Sequence, residues 1–385
     1  MMKLLKSVLL ASAAATTFTG LASAEDMILK VGLAAPLTGD YASISEARGS
    51  QCMADKINKA NEGIKVEIMM EDSRSDPQLT LSLAQKFLDA GAVMVHGTAF
   101  PDSLIPMAQM AAGANAFVYS AQITQVEMHE SGLTNFVAGA VPDDVGASAS
   151  ASVAYAKGAR TAALLTSDSA GSWSAKTPIW FGEAFAKLGG KVIGTFNHTI
   201  GTSDWSPQIA DIMKLEPKPD VVYIATIVPD GGILAKQLSA AGYKGIVGGA
   251  DGFDDPSLET TIGDNEVLSR VIFNTHTPLV GTPGGAFLEE CKAAGFAVNN
   301  IFDAMGGDVI RVLVDAAKEA KTTTDGAAIL NVIKTRDSFD LVTGGKVSFK
   351  EKGTWPIRTV PVLGFQDGKR IVLANETPAF LPHSK

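Results

Sequence analysis

From residue 28 onward, short apolar runs alternate with longer amphipathic stretches, and few folds tolerate that alternation. ILKVGLA (28–34), KVEIMM (65–70), AVMVH (92–96) and AFVYS (116–120) read as buried strands. Between them lie helical patterns: one from about Ser45 to Glu62, and one that starts at Pro77, after the turn EDSRSDP, and runs to Ala90. A third is PDSLIPMAQMAA, where Asp102 and Ser103 stand where a cap is expected. Proline suits the first helical turn, because its missing N–H would be unpaired there anyway. A strand–helix–strand rhythm of this kind predicts a parallel sheet with helices on both faces.

The rhythm then restarts. A helix over 143–157 precedes TAALLTS (161–167), followed by a helix over 175–188, KVIGTF (191–196), a helix over 206–215 and DVVYIAT (220–226). A helix over 231–241 leads to GIVGGA (245–250) and, further on, SRVIFNT (269–275). Helices follow at about 284–294, 300–320 and 326–334. The chain closes with GGKVSF, TVPVLGF and KRIVLA, parted by tight turns at 351–353 and Asp367-Gly368. A single eight-fold β/α barrel fits poorly, because of the loop at 132–145 and these late, antiparallel-looking strands. Two consecutive open α/β units, each long enough for its own core, fit better.

The chain opens MMKLLKSVLLASAAATTFTGLASA, a positive start, an interrupted apolar stretch and Ala22-Ser23-Ala24. This predicts a secretory leader over residues 1–24 rather than a membrane anchor, which needs about 20 mostly apolar residues. No cysteine follows the cleavage site, so nothing suggests lipid attachment. The formal net charge is −9, and loss of Lys3 and Lys6 with the leader makes the remainder more acidic. An acidic, exported chain argues against nucleic-acid partners and anionic membranes. Cys52 and Cys291 are the two cysteines. Far apart and on apolar helix faces, they read as buried thiols, although an oxidising compartment permits pairing. The five histidines are scattered and no cluster has metal-ligand spacing. No phosphate-binding glycine loop and no nucleophile elbow occurs, so no cofactor and no metal is expected.

One stretch demands an explanation: GGADGFDDP (248–256) puts Asp251 between glycines at a strand end. Asp254 and Asp255 read as turn or cap residues before Pro256. In open parallel sheets the loops after the strands line the crevice, so Asp251 is placed to meet a ligand. A desolvated carboxylate is costly unless partnered, which points to a cationic or hydrogen-bond-donating ligand group.

Several stretches together resemble the periplasmic binding proteins of the leucine/isoleucine/valine type, the substrate receptors of ABC importers. They are GLAAPLTGDYA (32–42), EDSRSDP (71–77), GTAFPDS (97–103), YSAQITQVE (119–127), PDVVYIATIVPDGG (219–232), GGADGFDDPSL (248–258) and GGKVSFKEKGT (344–354). The resemblance implies an α/β, two-lobed venus-flytrap architecture with each lobe an open parallel sheet flanked by helices. Three crossovers would fall near Gly139, Pro278 and Pro356. Lobe I would then be 25–139 plus 279–355, and lobe II 140–278 plus 357–385. It also implies a periplasmic monomer that captures a small amino-acid-like ligand, a branched-chain or aromatic amino acid or a related amide or organic acid. The ligand would pass to an inner-membrane permease without chemistry. A soluble sensor for a membrane receptor or kinase is the alternative, and a secreted enzyme using Asp251 with Asp254 is a more distant one.

By the same resemblance Asp251 pairs with the ligand ammonium, while Ile123 and Thr124 contact its backbone-like end. Thr124 could instead cap a helix beginning near Gln125. Trp173 walls the pocket, with Tyr41, Phe100 and Phe302 as further wall residues. The sequence departs from the family at two positions. Pro101 stands where a serine hydroxyl holds the ligand carboxylate, leaving Ser103 as substitute, and Ile227 stands at the hinge-side tyrosine. Both departures make simple leucine specificity doubtful and the pocket less polar.

Overall fold

The computed structural model describes residues 27–97, 99–350, 355–356 and 358–383. The leader read at 1–24 and the turn read at 351–353 lie outside them. The first sheet contains β1 (Met27–Ala35), β2 (Ile64–Asp72), β3 (Met94–His96), β4 (Phe117–Ser120) and β5 (Phe136–Ala138), in the order β2-β1-β3-β4-β5. All its pairings are parallel. Its central strands are buried on both faces, as a helix-covered parallel sheet requires. β5 is a fifth strand that the apolar pattern did not reveal.

The second sheet contains β6 (Thr161–Thr166), β7 (Lys191–Asn197), β8 (Val221–Ile224), β9 (Ile246–Gly249) and β10 (Val271–Asn274). A two-stranded ladder of β11 (Phe339–Asp340) and β12 (Lys346–Val347) stands apart. The hairpin β13 (Val360–Gln366) and β14 (Lys369–Glu376) then joins the second sheet antiparallel, giving the order β14-β13-β10-β9-β8-β6-β7. The molecule is therefore two α/β lobes, the first built on the five-stranded sheet and the second on the seven-stranded one.

The chain passes between the lobes three times. It leaves the first sheet after β5 and returns after β10. Helices Pro283–Ala293, Ile301–Ala320 and Gly326–Thr335 then pack in the core of the first lobe beside Leu29, Val31 and Phe117. It leaves again for β13. Helix Ile301–Ala320 crosses helix Ala47–Ala60 so closely that a Cβ on Gly49 would stand 1.6 Å from the Asp303 carbonyl oxygen. Only glycine permits that crossing.

Cys52 and Cys291 correct the sequence expectation. They form a disulfide with Cα atoms 5.8 Å apart, tying helix Ala47–Ala60 to helix Pro283–Ala293. Both residues are fully buried, so the apolar-face reading was sound, but burial brought the two sulfurs together. Asp254 is corrected as well. It is 2 % exposed and accepts from Arg370 and Thr275, so it is a buried ion-pair partner and not a surface turn residue.

Candidate ligand cavity between the lobes

The carboxyl ends of the parallel strands of both sheets face one another across a cavity. Its inner chamber, about 40 Å³, is lined from the first lobe by loops after β1, β3 and β4. From the second lobe come loops after β6, β8 and β9, and Phe302 enters at the start of helix Ile301–Ala320. The wider outer chamber, about 530 Å³, shares Tyr41, Ile44, Phe100, Gln122 and Gln125 with it. The two are parts of one cleft.

Asp251 opens the turn Asp251–Phe253 directly after β9 and is 8 % exposed. The Trp173 indole N–H donates to its Oδ1 at 2.9 Å, and His276 Nε2 lies 3.0 Å from its Oδ2. Burial pushes this carboxyl up. The hydrogen bond and charge of His276, with the Trp173 donor, outweigh burial and hold it below the usual carboxylate range. Gly252 explains the Gly-Asp-Gly pattern. A Cβ there would meet the Thr226 carbonyl oxygen at 2.6 Å and the Trp173 ring at 3.0 Å, so glycine lets the loop lie against the indole.

A second carboxyl sits behind the first. Asp143, 5 % exposed, has its pKa raised well above the usual value, by burial first and then by the Asp251 charge. A hydrogen bond with the Thr124 side chain opposes this. Asp143, Thr124, Asp251, Asn274 and His276 border one small void.

The outer chamber is acidic. Its lining includes Asp40, Glu46, Asp102 and Glu127, and no Lys, Arg or His among the described residues. Tyr41 and Phe100 meet in a tilted contact, with ring centroids 4.6 Å apart and planes 54° to one another. Burial, then the charges of Asp40 and Asp102, push the Tyr41 phenol up. Glu127 Oε2 lies 2.5 Å from Ser172 Oγ, and its Oε1 3.2 Å from Lys176 Nζ. Ser172 Oγ is also 3.1 Å from Gln125 Oε1. These contacts join helix Val126–Glu130 of the first lobe to helix Gly171–Lys187 of the second.

Deeper in the first lobe, the Gln122 amide donates to Glu46 and to the Ile44 carbonyl. Glu46 Oε1 is 3.1 Å from His96 Nε2, but the pair is out of line for a hydrogen bond. Burial lowers the His96 pKa to about 3 and raises that of Glu46 well above the usual value.

Seven of the nine residues expected from the sequence line the inner chamber: Tyr41, Phe100, Thr124, Trp173, Ile227, Asp251 and Phe302. Ser103 lines the outer one, with its Oγ 3.2 Å from Asp102 Oδ1. Ile123 lines neither. It is fully buried in the first lobe's core, and its N–H donates to Ser120 Oγ at 3.2 Å. Nor do the expected caps form. Phe100 and Gln125 occupy the N-cap positions, without side-chain cap bonds, and Asp102 lies in the first turn, where a negative charge still suits the helix dipole. Sequence reasoning missed His276, Asp143, Gln122, Glu46 and Glu127. His276 directly follows β10 and its neighbours, so the strand-end rule that found Asp251 could have found it.

A family model described as periplasmic binding protein matches residues 28–369. The chain is 26% identical to the Leu/Ile/Val-binding protein BraC3 of Rhizobium johnstonii over 375 residues, covering 96% of this chain and 98% of that one. Among solved structures it resembles the leucine binding protein LivK of Thermotoga maritima, with a TM-score of 0.77 and 22% identity over 91% of this chain and 99% of that one. It equally resembles a solute binding protein of an ABC transporter from Rhodopseudomonas palustris BisB5, solved with 3,4-dihydroxy benzoic acid. There the TM-score is 0.77 with 20% identity over 92% of this chain and 99% of that one.

Proposed function

The chain belongs to the periplasmic binding proteins, and from that premise we propose that it is the monomeric receptor of an inner-membrane ABC importer. It captures a small amino-acid-like ligand between its lobes, presents it to the permease and releases it chemically unchanged. Residues 1–24 serve as the export leader. Lobe I comprises 25–139 plus 279–355 and lobe II 140–278 plus 357–385, hinged near Gly139, Pro278 and Pro356. Membership of the two sheets and the packing of helices Pro283–Ala293 to Gly326–Thr335 on the first lobe support that division.

The observation that carries the proposal is Asp251. It is a buried carboxylate at a strand end, held below its usual pKa, with an indole beside it and residues of the opposite lobe completing the chamber. A carboxylate in that position attracts an ammonium or amide N–H. Each of its oxygens already accepts one bond, from Trp173 or His276, and has a second lone pair to offer. Trp173, Tyr41, Phe100, Ile227 and Phe302 cover the apolar part of the ligand. Thr124 faces its polar end, Ser103 lines the outer chamber and Ile123 packs in the core behind it. Closure follows from the ligand's preference for the state in which both lobes touch it. The Glu127–Ser172 and Glu127–Lys176 contacts belong to that state.

The test is a thermal-shift screen over amino acids, amides and aromatic acids, using the protein without its leader and its Asp251→Asn variant. A ligand of the folded state raises the melting temperature. The expected result is a shift for amine or amide ligands that the variant loses, with intact ligand recovered by mass spectrometry. A flat screen, or a ligand converted to product, overturns the proposal.

A further inference from the structure

The outer chamber carries charge that the Asp251 end does not use. Of its four acids, Glu127 is compensated by Lys176 and Ser172, and burial holds Glu46 toward its neutral form. Asp40 and Asp102 remain, both exposed and both lining this chamber, and both charges act on the Tyr41 hydroxyl. Asp102 has a neutral hydroxyl, Ser103 Oγ, as its neighbour. The tilted Tyr41–Phe100 pair adds aromatic surface beside these carboxylates. Aromatic faces next to anions attract organic cations. Glu46 supplies an independent sign. It lines the same chamber at 5 % exposure, and its Oε1 has no aligned hydrogen-bond donor. A buried acceptor without a donor is costly, and a ligand N–H would satisfy it.

The groups that would hold a ligand carboxylate are, by contrast, committed or missing. Residue 101 is proline, with neither hydroxyl nor N–H. The Ser103 hydroxyl turns to Asp102 and the Thr124 side chain to Asp143. The Ile123 N–H is taken by Ser120. No cation among the described residues lines either chamber.

We infer that the ligand carries two cationic groups on an apolar spacer, one held at Asp251 and the second between Asp40 and Asp102 beside the Tyr41–Phe100 pair. The ligand is thus a diamine, and a basic amino acid, whose carboxylate these chambers leave without a partner, is the weaker binder. The inference rests on the receptor function proposed above and names the ligand class of the same cavity.

Calorimetric titration of the leaderless protein with 1,5-diaminopentane, agmatine, lysine, arginine, pentylamine, leucine, phenylalanine and benzoate tests it. At least one dication is expected to bind about tenfold or more tighter than leucine, phenylalanine and benzoate, because two charge pairs are added. Lysine against 1,5-diaminopentane separates the basic amino acid from the diamine. In the Asp40→Asn/Asp102→Asn double variant, the preference for 1,5-diaminopentane over pentylamine should shrink about three- to tenfold, and its salt dependence should weaken. Tighter binding of leucine, phenylalanine or benzoate than of every dication overturns the inference while sparing the receptor function. An undiminished dication preference in the folded double variant does the same. If no member of the panel binds the folded wild-type protein, the receptor function falls with it.

Discussion

Two buried carboxyl–histidine couples invite comparison, one in each lobe. Asp251 and His276 stand 3.0 Å apart in the second, Glu46 and His96 3.1 Å apart in the first. All four side chains are almost wholly buried, yet their charges settle differently. Asp251 lies below its usual pKa, Glu46 well above it, and His96 falls to about 3. Separation cannot explain this, since it is nearly the same. Alignment and the count of donors can. Asp251 receives an aligned bond on each oxygen, from His276 and from the Trp173 indole. Glu46 receives the neutral Gln122 amide on one oxygen and a misaligned histidine on the other. Burial opposes charge in both places, and only sufficient hydrogen bonding overcomes it. One couple is therefore an anchor facing the cavity whose carboxyl is held toward its charged form, and the other a pair in the wall that burial drives toward its neutral form.

The sharpest way to break this contrast is to remove the anchor. Asp251→Ala should weaken an amine ligand by about 2–5 kcal/mol in calorimetric titration, because a buried, bonded charge partner is lost. An unchanged dissociation constant would show that both couples are merely structural. Trp173→Phe keeps an aromatic wall but deletes one donor to a charged group. It should cost about 1.5–3 kcal/mol of ligand affinity, and ligand should alter Trp173 fluorescence in the parent protein. If this variant bound as tightly as the parent, the indole N–H could not be what keeps Asp251 ionised.

The couples should also part company in the pH dependence of stability, followed by urea unfolding. His96 has a folded pKa of about 3, below its ordinary 6.5. Its contribution is present above pH 6.5 and lost as pH falls toward 3, at a slope of at most about 1.4 kcal/mol per pH unit. His96→Gln should flatten that limb. Asp251, also lowered, contributes stability above its ordinary 3.8 that is lost only as pH falls through its still lower folded value. Glu46 has the opposite sign. Its raised folded pKa gives stability below its ordinary 4.5 that is lost as pH rises through the folded value. Glu46→Gln should have the smallest effect near neutrality, about 1 kcal/mol or less, while removing the decline above pH 4.5. A loss of several kcal/mol at neutral pH in Glu46→Gln would mean that Glu46 is ionised like Asp251, and the contrast would collapse.

Much of this was legible from the sequence. The alternation of apolar runs with amphipathic stretches foretold two open α/β units, the strand-end rule led to Asp251, and the family resemblance led to Tyr41 and Phe100. Gly252 was visible as part of a Gly-Asp-Gly pattern, although its reason is tertiary, the approach of the loop to the Thr226 carbonyl and the Trp173 ring. Other features left no such mark. β5 is three residues long, too short to show a period. Ile123 sits beside Thr124 in sequence, yet its side chain points into the lobe core while Thr124 borders the cavity. His276 looked like one of five scattered histidines until β10 set it beside β9.

The class of the fold and the neighbourhood of the cavity were therefore readable along the chain. These depend on local periodicity and on what one residue does to its own backbone. Tertiary structure alone decided that Cys52 meets Cys291 across 239 positions, that Asp251 is held by Trp173 and His276, and that Asp254 belongs to Arg370. A pairing between distant residues is set by where folding leaves their atoms. At separations of about 3 Å, the direction of a single N–H decides whether a buried acid keeps its charge.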